Sequence, residues 1–345
     1  MHMKKYYIIL GLFAGLLGFK RSIEDTHEPA DVSAAVNKCL PVLEKSSHLF
    51  LINAAPMVLC HSCHNQGLGI VAFQMAKERG FPVNDTIFNE AIDSTQKQWK
   101  TYADKQALME KDEVLPVVIT GSYDLWALAE VKYPADKMIH IISQNIMRKQ
   151  SFDGSWQSPG KRPPLEYYSF SLTALTVKNM QAYMSAGLRD EVAARVAWAR
   201  EWMIRTEPAA NEEKAYQLLG LTWCKGDQQF IYRQAQKLLA AQHTDGGWSQ
   251  LNTLPTDAYA TGQSLYALVR SGQLSVDDPA YQRGVDFLLR TQEPDGTWHV
   301  RKRAIPFVPY VNSGFPHGED QFISAAGSNW AMMALLLSVK NENLP

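Results

Sequence analysis

Three copies of one seven-residue pattern decide the fold of this chain. They are "QSFDGSW" at 150–156, "QHTDGGW" at 242–248 and "QEPDGTW" at 292–298. Each copy keeps a Gln, an Asp-Gly pair and, six residues after the Gln, a Trp. The Gln residues lie 92 and 50 positions apart, about two periods and one. A repeat of roughly 46–50 residues is typical of a helical hairpin with two turns that stacks on its neighbours.

The segments on either side of each copy differ in hydrophobic pattern. Segments 228–242 and 278–292 end at a motif copy, and 190–206 ends at a degenerate copy at 204–213 that lacks the Gln and the Trp. All three segments carry apolar residues three and four positions apart, as amphipathic helices do. The following segments, such as 257–272 and 318–339, are more uniformly apolar and rich in small residues. A helix that is apolar on nearly all sides is a buried helix. The alternation therefore predicts outer helices that each precede an inner helix.

About six inner segments can be counted along the chain. They begin near Cys60, Ser122, Tyr167, Lys214, Asp257 and Asp320. Strand-like alternation is nearly absent. Because six outer–inner pairs can close into a double ring, we predict one all-α domain over residues 30–345, an α/α toroid of about six helical hairpins. A linear solenoid of the same hairpins is the alternative.

The Gln-x-x-Asp-Gly-x-Trp copies resemble the QW motifs of squalene–hopene cyclases and their relatives. The resemblance covers the chain from about residue 110 to the C-terminus. It implies the α/α toroid that these proteins share with protein prenyltransferase β-subunits. In that family the Gln caps a helix end and the Trp stacks on it, which ties neighbouring outer helices together. The resemblance thus implies that the three copies are scaffold.

The resemblance does not extend to the acid that starts polyprene cyclisation in that family. Squalene–hopene cyclases use a D-x-D-D-T motif, whereas the nearest segment here, "LPTDAYATG" at 254–262, has a single acid, Asp257, followed by Ala258 and Tyr259. The partner carboxylates that would increase its acidity are missing. The zinc site of prenyltransferases, built from Asp, Cys and His, has no residue-by-residue counterpart in this chain.

Two acids still lie where inner helices are predicted to begin, at the mouth of the ring. Asp257 opens one such helix and Asp320 precedes another. Asp is a good N-cap and interacts favourably with the helix dipole, so capping explains both positions without any catalytic role. We keep Asp257, Tyr259 and Asp320 as candidate catalytic residues beside that simpler explanation.

A second motif belongs to a different chemistry. "MVLCHSCHNQGLG" at 57–69 contains C-x-x-C-H at Cys60–His64, the attachment signature of a c-type haem. On a helix, Cys60, Cys63 and His64 share one face. Two thiols can then bind the haem vinyl groups while His64 binds the iron as the proximal metal ligand. The alternative is zinc, held by the two cysteines with His61 or His64 and completed by Asp257 or another carboxylate.

The sixth iron ligand would decide the chemistry of such a haem. Met or His favours electron transfer, whereas an open position permits substrate or peroxide chemistry. The candidates are Met57, Met75, His140, His299 and His317.

The N-terminus indicates export. A short basic start precedes an apolar run from Tyr6 to Phe19, which is the length of a signal peptide and short for a membrane span. We predict that residues 1–22 are a signal peptide or an uncleaved anchor and that the protein is periplasmic or otherwise extracytoplasmic. The net charge of −1 predicts no nucleic-acid partner.

Three hypotheses for function follow. The first is an exported haem c protein, an oxidoreductase that acts on an apolar or isoprenoid-like ligand. The second is a terpene-cyclase-like enzyme with Asp257 as the acid and a metal at Cys60 and Cys63. The third is a non-enzymatic module that binds an apolar small molecule or passes electrons to a protein partner.

Overall fold

The computed structural model describes residues 29–53, 62–104, 117–158, 160, 162–305 and 312–340. The predicted signal segment, residues 1–22, lies outside these ranges. Outside them too are three residues named above, Met57, Cys60 and His61. Within them are twelve α-helices: α1 Pro29–Asn53, α2 Leu68–Glu78, α3 Asp85–Asp104, α4 Val117–Glu130, α5 Lys137–Arg148, α6 Ser169–Tyr183, α7 Arg189–Arg205, α8 Asn211–Trp223, α9 Gln228–Leu239, α10 Ala258–Arg270, α11 Pro279–Thr291 and α12 Gln321–Leu336.

The helices alternate between an outer and an inner layer, as predicted. Outer helix α9 buries Ile231, Gln234, Ala235 and Leu238, a single stripe at helical spacing. Inner helix α12 is instead buried along its whole length except at Phe322. Each odd-numbered helix thus shields an even-numbered helix from water. None of the described helices combines the length and hydropathy needed to cross a membrane.

The inner helices form a closed ring. Each even-numbered helix packs on the next one, from α2 through α12, and α12 packs back on α2. In the outer layer α11 also contacts α1. A linear solenoid would leave its first and last hairpins apart, so this closure confirms the α/α toroid of six hairpins.

Short elements complete the ring. A π-helical turn at Cys63–Gly67 precedes α2, and 3-10 turns at Ala186–Leu188 and Gly318–Asp320 precede α7 and α12. Strands β1 Trp248–Ser249 and β2 Thr256–Asp257 pair antiparallel, with Trp248 opposite Asp257. This small hairpin connects the second motif copy to the start of α10.

The Gln of each motif copy connects two outer helices. Its Nε2 donates to the Gly carbonyl four residues later, at 2.9 Å in all three copies. The same Nε2 donates to a carbonyl of the next outer helix. These second acceptors are Arg195 on α7 for Gln150, Ala280 on α11 for Gln242 and Ala35 on α1 for Gln292, at 3.0, 2.8 and 2.9 Å. The third copy therefore joins the last outer helix to the first.

The Trp of each copy fastens its own hairpin. Its Nε1 donates to the carbonyl ten residues earlier, on the preceding outer helix. Its backbone N–H donates to a hydroxyl of the following inner helix, supplied by Thr173, Thr261 or Ser328. The scaffold role that the resemblance implied is thus visible in hydrogen bonds. The link between outer helices, however, comes from the Gln amide, and the Trp joins an outer helix to its own inner helix.

Candidate functional site

Aromatic side chains fill the axis of the ring. Trp330 lies at their centre, with ring centroids of Tyr266, Trp126 and Tyr216 at 5.4, 6.1 and 6.3 Å. All four side chains are almost completely buried. A ligand of this ring would therefore contact the mouth, where the inner helices begin.

A buried carboxyl group lies at that mouth. Glu212 is the second residue of α8, and its Oε2 accepts a hydrogen bond of 2.7 Å from the Tyr259 hydroxyl, at the second residue of α10. Burial raises the pKa of Glu212 to about 8, although the bond from Tyr259 favours the ionised form. At neutral pH this carboxyl is mainly protonated and can donate a proton.

Four buried polar atoms near this carboxyl make no hydrogen bond of 3.5 Å or less to a described residue. They are Glu212 Oε1, Tyr123 Oη, Tyr216 Oη and Trp330 Nε1. Desolvation also raises the pKa of both tyrosines, so both hydroxyls stay protonated. Weaker side-chain hydrogen bonds link Tyr123 with Tyr216, Trp330 with Tyr259 and Ser171 with Glu212. A buried polar atom without a well-formed hydrogen bond costs up to roughly 1–3 kcal/mol, and an added partner at such an atom recovers part of that cost. These side chains, called the mouth cluster below, therefore mark a polar site on an otherwise apolar axis. The mouth cluster comprises Tyr123, Glu212, Tyr216, Tyr259 and Trp330.

Asp257 lies next to this cluster and caps α10, which is the simpler of its two predicted roles. Its Oδ1 accepts from the Ala260 N–H at 2.8 Å, and its Oδ2 accepts from Gln250 Nε2 at 2.9 Å. Gln250 Oε1 in turn accepts from Arg303 Nε at 2.7 Å. Part of Asp257 remains accessible, but desolvation of its carboxyl raises the pKa to about 6.

Asp320 does not join Asp257 and Tyr259. Its Oδ2 pairs with His299 Nε2 at 2.8 Å and its Oδ1 accepts from the Lys302 N–H at 3.0 Å. These bonds keep the pKa of Asp320 below its usual range in spite of partial burial. Its side chain makes no capping bond to α12, so neither of its predicted roles is visible in its contacts.

His64 and Cys63 begin the first inner segment, on the π-helical turn that Ser62 caps. Both side chains are buried, and the His64 ring meets Phe50 and Phe322 edge-on at centroid distances of 6.1 and 5.9 Å. Desolvation and, to a smaller extent, the charge of Arg162 lower the pKa of His64 to about 3. The imidazole is therefore neutral, with its nitrogen lone pair available.

The haem prediction itself stays untested, because Cys60 lies outside the described residues. Among the candidate sixth ligands, Met75 lies eleven residues after His64 along the same helical segment, roughly 16 Å away. That separation is too large for both residues to bind one iron. His140 is on outer helix α5, and His299 and His317 stack on each other at 4.7 Å.

Sequence reasoning missed Glu212 and Tyr216, whereas Tyr123 was expected near the start of an inner helix, as a core residue rather than a cofactor contact. A predicted inner segment near Lys214 was a signal for α8, and "NEEKAY" at 211–216 has the acids of a helix start. Nothing in that pattern distinguishes Glu212 from Glu213, which lies one residue further on and accepts from the Ala209 and Ala210 N–H groups. One carboxyl faces the axis and the other caps a helix.

Comparison with known proteins supports this fold. A squalene–hopene cyclase from Bradyrhizobium diazoefficiens is 29% identical over a stretch that covers 36% of this chain and 20% of the relative. The match thus spans about a fifth of that relative's length. No family model matches the chain.

Two solved structures have similar architecture. A type II terpene cyclase from Scytonema, in complex with geranylgeranyl dihydroxybenzoate, aligns with a TM-score of 0.53 and 13% identity over 89% of this chain and 98% of that one. A possible GH105 family member from Salmonella enterica aligns with a TM-score of 0.54 and 12% identity over 97% and 100%. At such identities the likeness concerns the fold alone. The chain is an α/α toroid with weak similarity to squalene–hopene cyclase.

Proposed function

We propose that this chain is an exported haem c protein that holds the haem at the mouth of its toroid and acts as an oxidoreductase. One observation carries the proposal: His64, the last residue of the C-x-x-C-H motif, is buried between two phenylalanine rings, and its imidazole is neutral. The neutral imidazole is the form of histidine that binds a metal.

The residues around His64 fit an axial ligand. The His64 carbonyl accepts from Asn329 Nδ2 at 2.9 Å, which fixes the first turn of the inner segment to α12. Phe50 and Phe322 keep water from the ring, and Arg162 places positive charge near it. Such charge favours the anionic carboxylates that a haem carries. When bound, haem c supplies one-electron redox chemistry, with a potential set by its axial ligands and burial.

The packing below the mouth also indicates where the proposed ligand would bind. The aromatic axis below Glu212 is packed, so an apolar small molecule would bind above it, beside Phe50 and Phe322. Such a site suits transfer of electrons from a small donor or to a protein partner better than the folding of a long polyprene inside the ring.

The test is expression of the full chain with export and haem-attachment machinery, followed by intact mass measurement and acid–acetone extraction. We expect the mass of one covalent haem per chain. Cys60→Ala and Cys63→Ala should each weaken the attachment, and the double variant should lose it. Cys224→Ala, at a buried cysteine far from the motif, is the matched control and should keep the haem.

The outcome against the proposal is an exported chain with only the apo mass. Stoichiometric zinc in that preparation would then support the alternative metal site at Cys60 and Cys63. If haem is present, turnover of an added donor with peroxide distinguishes an oxidoreductase from an electron-transfer module.

A second candidate function is acid catalysis at Glu212. The observation that favours it is the burial of this carboxyl, which Tyr259 holds in place at Oε2 and which makes no hydrogen bond of 3.5 Å or less to a described residue at Oε1. Glu212 would then take the role of acid that the sequence analysis assigned to Asp257. Incubation with squalene or a geranylgeranyl compound should yield cyclised product in the wild type and in Asp257→Asn, but none in Glu212→Gln. Equal product from all three proteins would exclude Glu212 as the acid.

A further inference from the structure

Three metal-ligating side chains meet at the third motif copy, apart from the mouth cluster and from His64. Glu293 follows the motif Gln, His299 follows the motif Trp, and His317 lies just before the turn at Gly318–Asp320. One possible ligand atom from each of the three lies within 4.8 Å of the other two. His299 is exposed, so an ion can reach the group from solvent.

Each imidazole already has a partner at Nε2. His299 Nε2 pairs with Asp320 Oδ2 at 2.8 Å, and His317 Nε2 pairs with Thr297 Oγ1 at 2.9 Å. Both rings therefore keep Nδ1 for another ligand. A carboxylate or hydroxyl on the far nitrogen is the arrangement that orients a histidine bound to a metal.

The second motif copy shows that these positions face each other. In the second copy the residues that correspond to Glu293 and His299 are His243 and Ser249, which hydrogen-bond at 3.1 Å. In the first copy both positions carry side chains that do not suit zinc, Ser and Gln. The third copy has the same backbone arrangement but carries Glu and His there. The scaffold does not require these residues, so their presence points to a separate role.

We infer that Glu293, His299 and His317 bind a zinc ion, with Asp320 and Thr297 orienting the two imidazoles. Two imidazoles and one carboxylate suit zinc, and three protein ligands leave a fourth position for water. The site would join the loop of the third motif to the turn that leads into α12. Zinc would therefore stabilise the last hairpin of the ring, independently of any haem at His64.

Zinc titration of the chelator-treated protein tests this inference, with isothermal calorimetry to measure stoichiometry and affinity. His299→Ala, Glu293→Gln and His317→Asn should each lower the affinity at least tenfold or remove one zinc per chain. Asn is chosen at position 317 because the residue has a φ of 78°, which Asn tolerates. Asp320→Asn should weaken binding by about 10–100-fold.

His48→Ala is the matched control. His48 Nδ1 pairs with Glu90 Oε2 at 2.6 Å, a histidine–carboxylate pair that belongs to no group of three metal ligands among the described residues. This variant should bind zinc as the wild type does. Zinc at Cys60 and Cys63 would persist in every variant, so the change in stoichiometry isolates the proposed site. Wild-type zinc affinity and stoichiometry in both His299→Ala and Glu293→Gln, with circular dichroism confirming that they fold, would overturn the inference.

Discussion

Glu212 combines complete burial with a carboxyl that is protonated at neutral pH. Because its pKa is about 8 in the folded protein and near 4.5 in the unfolded chain, the folded state binds one more proton between these values. Stability conferred by this group is therefore full below about pH 4.5 and is lost as the pH rises through 8.

We expect Glu212→Gln to flatten the decline of stability between pH 5 and pH 8. The expected slope from one such group is at most about 1.4 kcal/mol per pH unit. Urea unfolding at several pH values measures it. Glu201→Gln, at an exposed position on α7, is the control and should keep the wild-type slope. Parallel curves for the wild type and Glu212→Gln would show that the carboxyl titrates normally.

Substitutions at Asp257 separate the contribution of its cap on α10 from that of the bond that it accepts from Gln250. Asn can still accept from the Ala260 N–H, but its amide cannot accept from Gln250 Nε2 as the Asp257 Oδ2 does. We expect Asp257→Asn to cost about 0.5–1.5 kcal/mol, the worth of one hydrogen bond. Asp257→Ala should cost about 1 kcal/mol more, because the cap is lost as well. Equal losses in urea unfolding would mean that the cap contributes nothing.

At the scale of the single element, two physical factors favour Gly in the motif turns. They are the positive φ of the backbone and its close approach to the next outer helix. Gly246 has a φ of +89°, and a Cβ built on it would lie 2.2 Å from the Arg283 carbonyl oxygen on α11. Gly272 also has a positive φ, +72°, but a Cβ there meets nothing within 4 Å. The two positions therefore separate the cost of the backbone conformation from the cost of crowding the next helix.

We expect Gly272→Ala to cost about 1–2 kcal/mol, the cost of the left-handed conformation alone. Gly246→Ala should cost clearly more, since α11 must move away as well. Chemical denaturation of both variants measures the difference. Similar losses would mean that the contact with α11 gives way freely and that the close approach is not needed for stability.

The helices themselves were largely predictable from the sequence. The segments predicted at 190–206, 228–242 and 278–292 are α7 Arg189–Arg205, α9 Gln228–Leu239 and α11 Pro279–Thr291. Their 3.6-residue pattern and N-capping acids, Asp227 and Asp278, are local signals. The inner helices were harder to delimit because uniformly apolar sequence has no period; α4, expected near Ser122, begins at Val117.

The mouth cluster could not be predicted in the same way. Tyr123, Glu212 and Tyr259 come from α4, α8 and α10, and each helix is buried on all sides. No periodicity in such a helix shows which residue faces the axis. Asp257 and Asp320 occupy equivalent positions in sequence, yet only Asp257 lies beside the cluster.

At the scale of the whole molecule, the toroid depends on joining its ends. Gln292 on the last outer helix donates to Ala35 on the first, in the same way that Gln242 donates to Ala280 on its neighbour. The outer helices joined by Gln242 and Ala280 follow each other along the chain, so chain connectivity keeps them close together. The pair joined by Gln292 and Ala35 is 257 residues apart in sequence and is held together by packing and by this hydrogen bond.

If the ring is closed in solution, Gln292→Ala should destabilise the protein as much as Gln242→Ala does. Each change removes the two bonds that the amide Nε2 donates, so a loss of about 1–3 kcal/mol is expected in both. Gln242→Ala also removes an exposed bond of 2.8 Å that Gln242 Oε1 accepts from Arg283 Nη2, which should add little. Gln228→Ala, at an exposed position whose amide makes one long bond of 3.5 Å within its own turn, is the control and should cost less.

Urea unfolding followed by both tryptophan fluorescence and far-ultraviolet circular dichroism measures these losses. In a closed ring the two probes should give coincident curves for all variants, since every hairpin has two neighbours and unfolds with them. An open array would lose its terminal hairpins first, as repeat proteins with free ends can. A full loss in Gln242→Ala with none in Gln292→Ala, together with separated curves, would mean that α11 and α1 are not joined and that the mouth cluster lies in an open arc.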